Sequence, residues 1–202
     1  MPEHGSHSSV DPAVAGISIR PFRHGRFSGD QAGVWLEDGF SLVCMADGLG
    51  HGEDAEIAAR KAVETAAANR DLAPCELMHA CDEALRGSRG AAVALARLDQ
   101  AAGVIEYVGV GNTRCVVVGH SNHYLGGTYG VVGEGVGTLA PESYPLGRRD
   151  VVIFWTDGLP DTLPLVGTRV RRVSNAQAYA DNLLDQHAID DDAGVVVLRW
   201  TP

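Results

Sequence analysis

The stretch VCMADGLGHGEDA, residues 43–55, decides how this chain folds and what it can bind. A run of apolar residues ends in Asp47, a turn with three glycines and His51 follows, and a helical pattern begins at Glu53. The pattern predicts a buried strand that delivers a carboxylate into a turn with almost no side chains. Such a bare turn allows a metal ion or a phosphate group to approach the backbone closely.

Strands are predicted on both sides of this stretch. Alternating or continuous apolar runs bounded by turn residues indicate them, and Asp38-Gly39 is a hairpin turn signal between two of them. The expected strands are 14–22, 32–37, 40–46, 91–99, 103–111, 113–119, 122–127, 150–158 and a last one within 190–200.

Three helices are predicted between these strands. Alanines at i, i+3 and i+4 spacing indicate a helix at 53–69 with a face of small residues. A second helix begins near Pro74, a favoured first-turn residue, and Gly87 suits the position just after its end. Ser174 and Gln177 have the spacing of a capping box, which predicts a third helix to about residue 187.

The order of these elements predicts the fold class. The strands are mostly joined by short turns and do not alternate with helices, so largely antiparallel sheets are expected rather than a doubly wound fold. We expect an α+β protein built as a four-layer α-β-β-α sandwich, with two mostly antiparallel sheets packed face to face and helices on both outer sides. Residues 1–12 are predicted to be a disordered N-terminal tail and residues 13–202 a single domain.

Composition and charge argue against several classes of function. The chain of 202 residues is 45% apolar and 21% charged, with a formal net charge of −10. An acidic chain without a basic cluster argues against a nucleic-acid surface. No apolar run reaches the roughly 18 residues that a membrane span needs, and the first residues show no secretion signal. We therefore expect a cytoplasmic monomer that binds neither nucleic acid nor membrane.

Acidic residues stand at four predicted strand ends. Asp30 opens a strand, Asp47 and Asp157 each close one just before a glycine, and the aspartates 190–192 open the last. Strand ends on one rim of a sandwich converge, and uncompensated carboxylates held together repel and raise one another's pKa. A hard divalent cation such as Mg²⁺ or Mn²⁺ would relieve that repulsion. Each site taken alone also fits an ordinary turn or helix-cap residue.

Three segments carry a resemblance to a known family: GDQAGVWLEDGFSLVCMADGLGHGEDA, DVVIFWTDGLPD and DDDAGVVVLRW, in this order. They resemble the metal-dependent serine/threonine phosphatases of the 2C type (the PPM superfamily), and within them the SpoIIE-like branch. The resemblance covers about residues 14–200. The short chain, with GVGNTR at 109–114 and YGVVGEG at 129–135, is most similar to the freestanding stressosome phosphatases of that branch.

The resemblance implies two Mn²⁺ or Mg²⁺ ions at one rim of the sandwich. Asp47 would bridge both ions, and Gly48 would lend its carbonyl oxygen to one of them. Asp30 would serve the second ion, and Asp157 and Asp191 the first. The expected metal ligands are therefore Asp30, Asp47, Gly48, Asp157 and Asp191, with Asp192 or Asp190 as the alternative in the last motif, where the spacing of DDAGVVV favours Asp191.

Three positions depart from the pattern of the family. Leu49 stands where many type-2C enzymes have a histidine that acts as a general acid. Gly194 replaces the usual Thr or Ser of the last motif, which predicts the loss of a hydrogen bond to the metal ligands. Asn112 stands where many members have an aspartate.

Two further residues are candidates for the chemistry around the metals. His51 is close enough in sequence to Asp47 to donate a proton through water, and its alternatives are a turn-stabilising or a solvent-facing role. Arg26 lies four residues before Asp30, the spacing of a phosphate-binding arginine in some relatives, and its alternative is a solvated loop arginine. Asp47 and Asp157 are the carboxylates on which catalysis is expected to depend.

The activity implied by the resemblance is hydrolysis of phosphoserine or phosphothreonine on a partner protein. A water activated between two metal ions would attack phosphorus in line with the leaving oxygen. The implied substrates are STAS-domain stressosome proteins of the RsbR and RsbS kind, whose dephosphorylation resets a general stress response. Two alternatives stay open: a phosphatase of a phosphorylated anti-anti-sigma factor, as in SpoIIE and RsbU, or a catalytically dead domain that binds phosphoproteins.

Overall fold

The computed structural model describes residue 11 and residues 14–201. Apart from Asp11, the predicted tail at residues 1–12 lies outside the described residues. The elements are, in chain order, β1 (Ala15–Arg20), a 3₁₀ turn (Phe22–His24), β2 (Asp30–Glu37), β3 (Phe40–Gly48), α1 (Glu53–Ala68), α2 (Pro74–Leu85), β4 (Ala91–Asp99), β5 (Val104–Val110), β6 (Arg114–Val118), β7 (Asn122–Leu125), β8 (Glu142–Pro145), β9 (Val151–Trp155), α3 (Gly167–Val170), α4 (Ala176–His187) and β10 (Ala193–Arg199).

The described strands form two five-stranded sheets in which all neighbouring strands are antiparallel. The first sheet has the order β1-β10-β9-β6-β7, and the second has the order β2-β3-β4-β5-β8. Helices α1 and α2 cover the outer face of the second sheet, and α4 covers the outer face of the first. The predicted α+β sandwich of four layers is thereby confirmed.

Strand β3 shows why the central strands have continuous apolar sequences. Val43 and Met45 face the other sheet, whereas Leu42 and Cys44 pack against α1 and α2. A strand that is buried on both faces needs apolar residues at every position, so the usual alternation disappears. The same burial holds in β9, where Phe154 faces the other sheet and its neighbours face α4. Both strands are therefore rigid supports for the residues at their ends.

Helix α1 begins in close contact with the end of β3. The residues that the helix buries are all alanines: Ala55, Ala58, Ala59, Ala62 and Ala66. A Cβ atom placed on Gly48 would lie 2.0 Å from the carbonyl oxygen of Ala55, far inside van der Waals contact. A glycine at position 48 is therefore required for α1 to cross the end of β3, and this crossing fixes the turn between them.

The predicted capping box of the last helix is wrong. Helix α4 begins at Ala176, and its N-cap is Asn175, whose side-chain oxygen accepts a hydrogen bond of 2.9 Å from the backbone N–H of Ala178. The Gln177 amide instead accepts from the N–H of Ile17 at 2.9 Å and donates to its carbonyl oxygen at 2.7 Å. Because β1 is an edge strand, its outward backbone groups need such partners, and Gln177 supplies them.

Two short elements were missed by sequence analysis. Strand β8 has four residues and ends in Pro145, and α3 also has four residues, so neither produces a periodic pattern. β8 pairs with β5 at the edge of the second sheet, where a proline is tolerated. Within residues 14–201, no helix is long and apolar enough to cross a membrane.

Candidate metal centre

The four acidic strand ends meet at one rim of the sandwich. Asp30 and Asp47 are register partners on β2 and β3, so their side chains lie on the same face. That face is the one between the sheets, since Val34 and Met45 on the same strands belong to the core there. Asp157 follows β9, and the aspartates that precede β10 lie beside it because β9 and β10 are paired. Strand pairing therefore brings the carboxylates together within each sheet, and the packing of the two sheets brings both sets to one rim.

Asp30 is fully buried and incompletely hydrogen-bonded. Its Oδ2 accepts a hydrogen bond of 2.6 Å from the Thr156 hydroxyl, which belongs to the other sheet. Its Oδ1 is buried and has no hydrogen-bond partner among the described residues. Burial, followed by the nearby Asp47, raises the pKa of Asp30 well above its ordinary value. An unpartnered buried carboxylate oxygen is costly, and a cation at this position would remove the cost.

The carboxyl groups of Asp47 and Asp157 lie close together, and each shifts the pKa of the other. Burial, and then the charges of Asp157 and Asp191, raise the pKa of Asp47 to about 7. Burial and Asp191 also raise the pKa of Asp157, although its side chain is exposed at the surface, while Arg114 acts in the opposite direction. Carboxylates held this close together repel one another, and a cation or a proton would offset the repulsion.

The aspartates before β10 have different environments. Both carboxylate oxygens of Asp192 accept backbone hydrogen bonds, from Phe22 at 2.7 Å and from Gly29 at 2.9 Å, and its side chain is buried. Asp190 forms a surface ion pair of 3.1 Å with Arg23. Asp191 is exposed and close enough to raise the pKa of both Asp47 and Asp157. This arrangement favours Asp191 as the metal ligand of the last motif, while Asp192 ties the segment before β2 to β10.

A second glycine is required where β9 ends. A Cβ atom on Gly158 would lie 1.9 Å from the carbonyl oxygen of Asp192. The backbone after Asp157 therefore passes directly over the residues that precede β10. Together with Gly48, which contacts Ala55 in the same way, Gly158 explains why both acidic strand ends are followed by glycine.

The backbone of Gly194 is linked to Asp30 through the Thr156 hydroxyl. The Thr156 hydroxyl accepts from the backbone N–H of Gly194 at 2.9 Å while it donates to Asp30. A Cβ atom at position 194 would lie 2.7 Å from the Met45 Cε and 3.3 Å from the Asp30 Oδ2. Thr156, the residue after β9, thus supports Asp30, and the loss of a support through the glycine at position 194 stays a prediction.

His51 and Arg26 are exposed and are not held at the carboxylate cluster. The Arg26 guanidinium lies 5.2 Å from the centre of the Phe27 ring. Among the described residues, neither side chain has a hydrogen-bond partner. Their roles as proton donor and phosphate ligand remain predictions.

Two side chains with structural hydrogen bonds were not assigned by sequence analysis, and one of them contacts the site. The Asn112 amide donates a hydrogen bond of 2.7 Å to Asp157, so the residue that departs from the family pattern orients a metal-ligand candidate. Asp82 on α2 accepts from the N–H groups of Gly133 and Gly135 at 2.7 and 3.1 Å, which anchors the glycine-rich segment 126–137. Asn112 lies within GVGNTR, a segment already singled out, but nothing local to it indicates its partner.

The donor set fits a hard divalent cation. Across residues 14–201, no group of three His, Cys, Asp or Glu side chains is already arranged as a metal cage. The unpartnered Oδ1 of Asp30 and the repulsion of Asp47 by Asp157 and Asp191 are nevertheless both features that a cation would compensate. Every candidate donor is an oxygen, which suits Mg²⁺ or Mn²⁺.

The sequence profile of the family named Stage II sporulation protein E (SpoIIE) matches residues 37–201. This chain therefore belongs to the SpoIIE family. No curated protein matches it in sequence.

Solved structures with the same fold agree with that assignment. A structure described under "The bacterial stressosome: a modular system that has been adapted to control secondary messenger signaling" has a TM-score of 0.86 and 22% identity, covering 93% of this chain and 98% of the other. RsbX in complex with magnesium has a TM-score of 0.81 and 16% identity, with coverages of 92% and 94%. The PP2C phosphatase domain of SpoIIE from Bacillus subtilis, with a fragment of its regulatory domain, has a TM-score of 0.77 and 18% identity, with coverages of 94% and 64%. The sandwich is thus the fold of PP2C phosphatases.

We predict that Asp47→Asn stabilises the protein in the presence of a metal chelator. Because its pKa rises from 3.8 to about 7, folded Asp47 holds a proton that the unfolded chain has released, so the free energy of unfolding falls as pH rises between these values. At about 1.4 kcal/mol per pKa unit, the variant should be more stable than wild type at pH 8 by up to about 4 kcal/mol, and nearly equal at pH 4. Urea unfolding across this range measures the difference.

The exposed Asp185 on α4 provides the control for this measurement. Asp185→Asn should follow the wild-type curve at each pH. Two results together would contradict the raised pKa of Asp47. The free energy of unfolding of wild type would rise between pH 4 and pH 8, and Asp47→Asn would be no more stable than wild type at pH 8.

We also predict that the Thr156 hydroxyl is needed to hold Asp30. Thr156→Val leaves the Asp30 Oδ2 and the N–H of Gly194 without partners, which should lower the free energy of unfolding by about 1–3 kcal/mol. Thr156→Ser keeps the hydroxyl and should lower the free energy of unfolding less. Chemical denaturation of the three proteins tests this, and equal stability of the Val and Ser variants would show that the hydroxyl is dispensable.

Proposed function

We propose that this protein is a metal-dependent protein serine/threonine phosphatase. The proposal rests above all on the convergence of Asp30, Asp47, Asp157 and Asp191 at one rim, where too little positive charge compensates them. Membership of the SpoIIE family and the PP2C fold support it.

The residues at the rim would hold two Mn²⁺ or Mg²⁺ ions. Asp47 would bridge the two ions, Gly48 would contribute its carbonyl oxygen, and Asp30 on one side and Asp157 with Asp191 on the other would complete the protein ligands. When bound, such ions activate a water molecule for attack on phosphorus and neutralise the charge on the phosphoryl oxygens.

The chain itself contributes a fixed frame for these ligands. Thr156 orients Asp30 across the two sheets, and Asn112 orients Asp157 from the turn before β6. Asp192 holds the segment before β2 through two backbone hydrogen bonds. Groups whose orientation is fixed before the substrate arrives need little reorganisation during the reaction, which is the main source of electrostatic catalysis.

Asp47→Asn and Asp157→Asn should each abolish Mn²⁺-dependent hydrolysis of p-nitrophenyl phosphate. Each variant removes a negative oxygen ligand while it keeps the shape of the side chain, so the circular dichroism spectrum should not change. Loss of at least about 100-fold is expected from the magnitude typical of altered metal ligands and their supports. Asp185→Asn is the matched control and should retain wild-type activity.

Near-normal activity in both site variants would refute the proposed metal centre. A wild-type protein that binds phosphoproteins but shows no turnover with Mn²⁺ or Mg²⁺ would support the catalytically dead alternative.

The proposed substrates are phosphorylated STAS-domain stressosome proteins of the RsbR and RsbS kind. We propose that the protein acts on them in the cytoplasm, as a monomer, in the manner of RsbX. The likeness in fold to RsbX and to a structure described with the bacterial stressosome supports this assignment. Leu49 and Ile57, which are 38% and 40% exposed at the turn after Asp47 and at the start of α1, offer apolar surface for a protein substrate.

Intact-mass analysis tests the substrate. Incubation with phosphorylated RsbR-like and RsbS-like proteins should remove 80 Da per phosphate, a mass fixed by the loss of HPO₃, whereas Asp47→Asn should leave the mass unchanged. A phosphorylated anti-anti-sigma factor is the comparison substrate. Faster dephosphorylation of that factor would overturn the stressosome assignment in favour of a SpoIIE- or RsbU-like function, while the phosphatase proposal would stand.

A further inference from the structure

A cavity of about 250 Å³ lies outside the carboxylate rim and is lined by arginines. Arg149, Arg171 and Arg172 contribute to its wall, together with His120 and Thr168. It is formed by the turn after β6, the segment before β9, and α3. The proposed phosphatase reaction uses none of these residues.

The cavity is at the opposite end of the first sheet from the carboxylates. β6 and β9 are paired with Val118 opposite Val151 and Arg114 opposite Trp155. The cavity adjoins the Val151 end of β9, whereas Asp157 follows its other end. Six residues of extended chain separate these two positions, a distance of about 20 Å. A ligand in the cavity would therefore not contact the candidate metal centre.

Positive charge is concentrated around this cavity. Residues 148–172 contain five of the sixteen Lys and Arg residues of a chain whose net charge is −10. They are Arg148, Arg149, Arg169, Arg171 and Arg172. Among the described residues, the only ion pair that these five form is that of Arg171 with Asp150. The expectation that the chain has no basic cluster is thus wrong for the folded protein, because α3 brings two separate arginine pairs together.

Arg171 is held in place as the wall of the cavity. Its side chain is only 22% exposed, and its Nε lies 3.5 Å from the buried carboxylate of Asp150. Its Nη2 donates to the carbonyl oxygen of Arg148 at 2.8 Å, and its Nη1 lies 3.3 Å from the Nε2 of His120. The Nε–H group is buried and makes no hydrogen bond. These contacts fix the guanidinium beside the cavity, and Asp150 offsets part of its charge.

Arg149 has an unusual backbone conformation beside the cavity. Its φ angle is +70°, in the left-handed region that residues other than glycine rarely adopt. Asp150 fixes the turn, because its backbone N–H donates to the Gly147 carbonyl oxygen at 3.0 Å and its carboxylate accepts from the Gly147 N–H at 2.7 Å. An arginine held in strained backbone next to other arginines is a feature typical of functional sites.

We propose that this cavity, named here the arginine cavity and defined by His120, Arg149, Thr168, Arg171 and Arg172, binds a phosphate-type dianion. Guanidinium groups bind such oxyanions through paired charge-assisted hydrogen bonds, and Thr168 adds a hydroxyl. The cavity is larger than a tetrahedral oxyanion, so the group bound is either free inorganic phosphate or the phosphate of an ester such as a nucleotide.

Isothermal titration calorimetry on the full chain in EDTA at low ionic strength tests the proposal, with inorganic phosphate and ADP as separate probes. We expect saturable binding of one anion per chain. Arg149→Gln/Arg172→Gln should weaken it at least about tenfold, because two charge-assisted donors are lost. Arg60→Gln/Arg86→Gln changes the net charge equally at exposed positions on α1 and just after α2 and should bind as wild type does.

Two further variants distinguish loss of anion binding from loss of stability and from the proposed phosphatase activity. Arg149→Gly relieves the left-handed backbone, so it should fold at least as stably as wild type and still bind more weakly. Asp47→Asn should bind normally, so the result does not depend on the proposed phosphatase activity.

Tighter binding of ADP than of phosphate identifies an ester as the source, and equal binding identifies free phosphate. Absence of saturable binding of both probes, or equal weakening in the two double variants, overturns the proposal.

Discussion

Repulsion between Asp30 and Asp47 is the constraint on which the rest of the carboxylate rim depends. The two residues are register partners on adjacent strands and face the space between the sheets, so neither can turn away without disturbing the sandwich. Burial and the charge of Asp47 raise the pKa of Asp30, whereas burial and the charges of Asp157, Asp191 and Asp192 raise the pKa of Asp47. A rim of this kind is stable when protons or cations compensate it. The need of this rim for positive charge therefore follows from the strand pairing of Asp30 with Asp47.

The surrounding polar groups hold this rim in one geometry. Thr156 and Asp192 are buried polar residues whose hydrogen bonds join the two sheets, and Asn112 reaches Asp157 from a neighbouring turn. Gly48 and Gly158 allow backbone segments to approach more closely than any side chain would permit. Because satisfied buried polar groups specify one arrangement, the acidic residues are mounted on rigid supports rather than on a mobile loop.

The two ends of the first sheet carry opposite charge. Carboxylates gather where β9 ends and β10 begins, and arginines gather where β6 ends and β9 begins. The net charge of −10 conceals this separation, because it sums over the whole surface. Such a distribution creates distinct local potentials, which attract cations to one end and anions to the other. The fold thus offers two chemically different sites at a separation of about 20 Å along one strand.

The sequence by itself determined the long strands, the long helices and the acidic strand ends, because these depend on local periodicity and on turn residues such as Gly48, whereas the four-residue β8 and α3 leave no such pattern. It also predicted the four-layer sandwich. Tertiary structure alone decided the partner of Asp30, the structural role of Asp192 and the arginine cavity. The hydrogen bonds that Asp30 and Asp192 make join residues 126 and 163 positions apart, and no local pattern encodes such contacts. Packing of the two sheets brings these distant segments together, since burial of their apolar faces is what holds the sandwich closed.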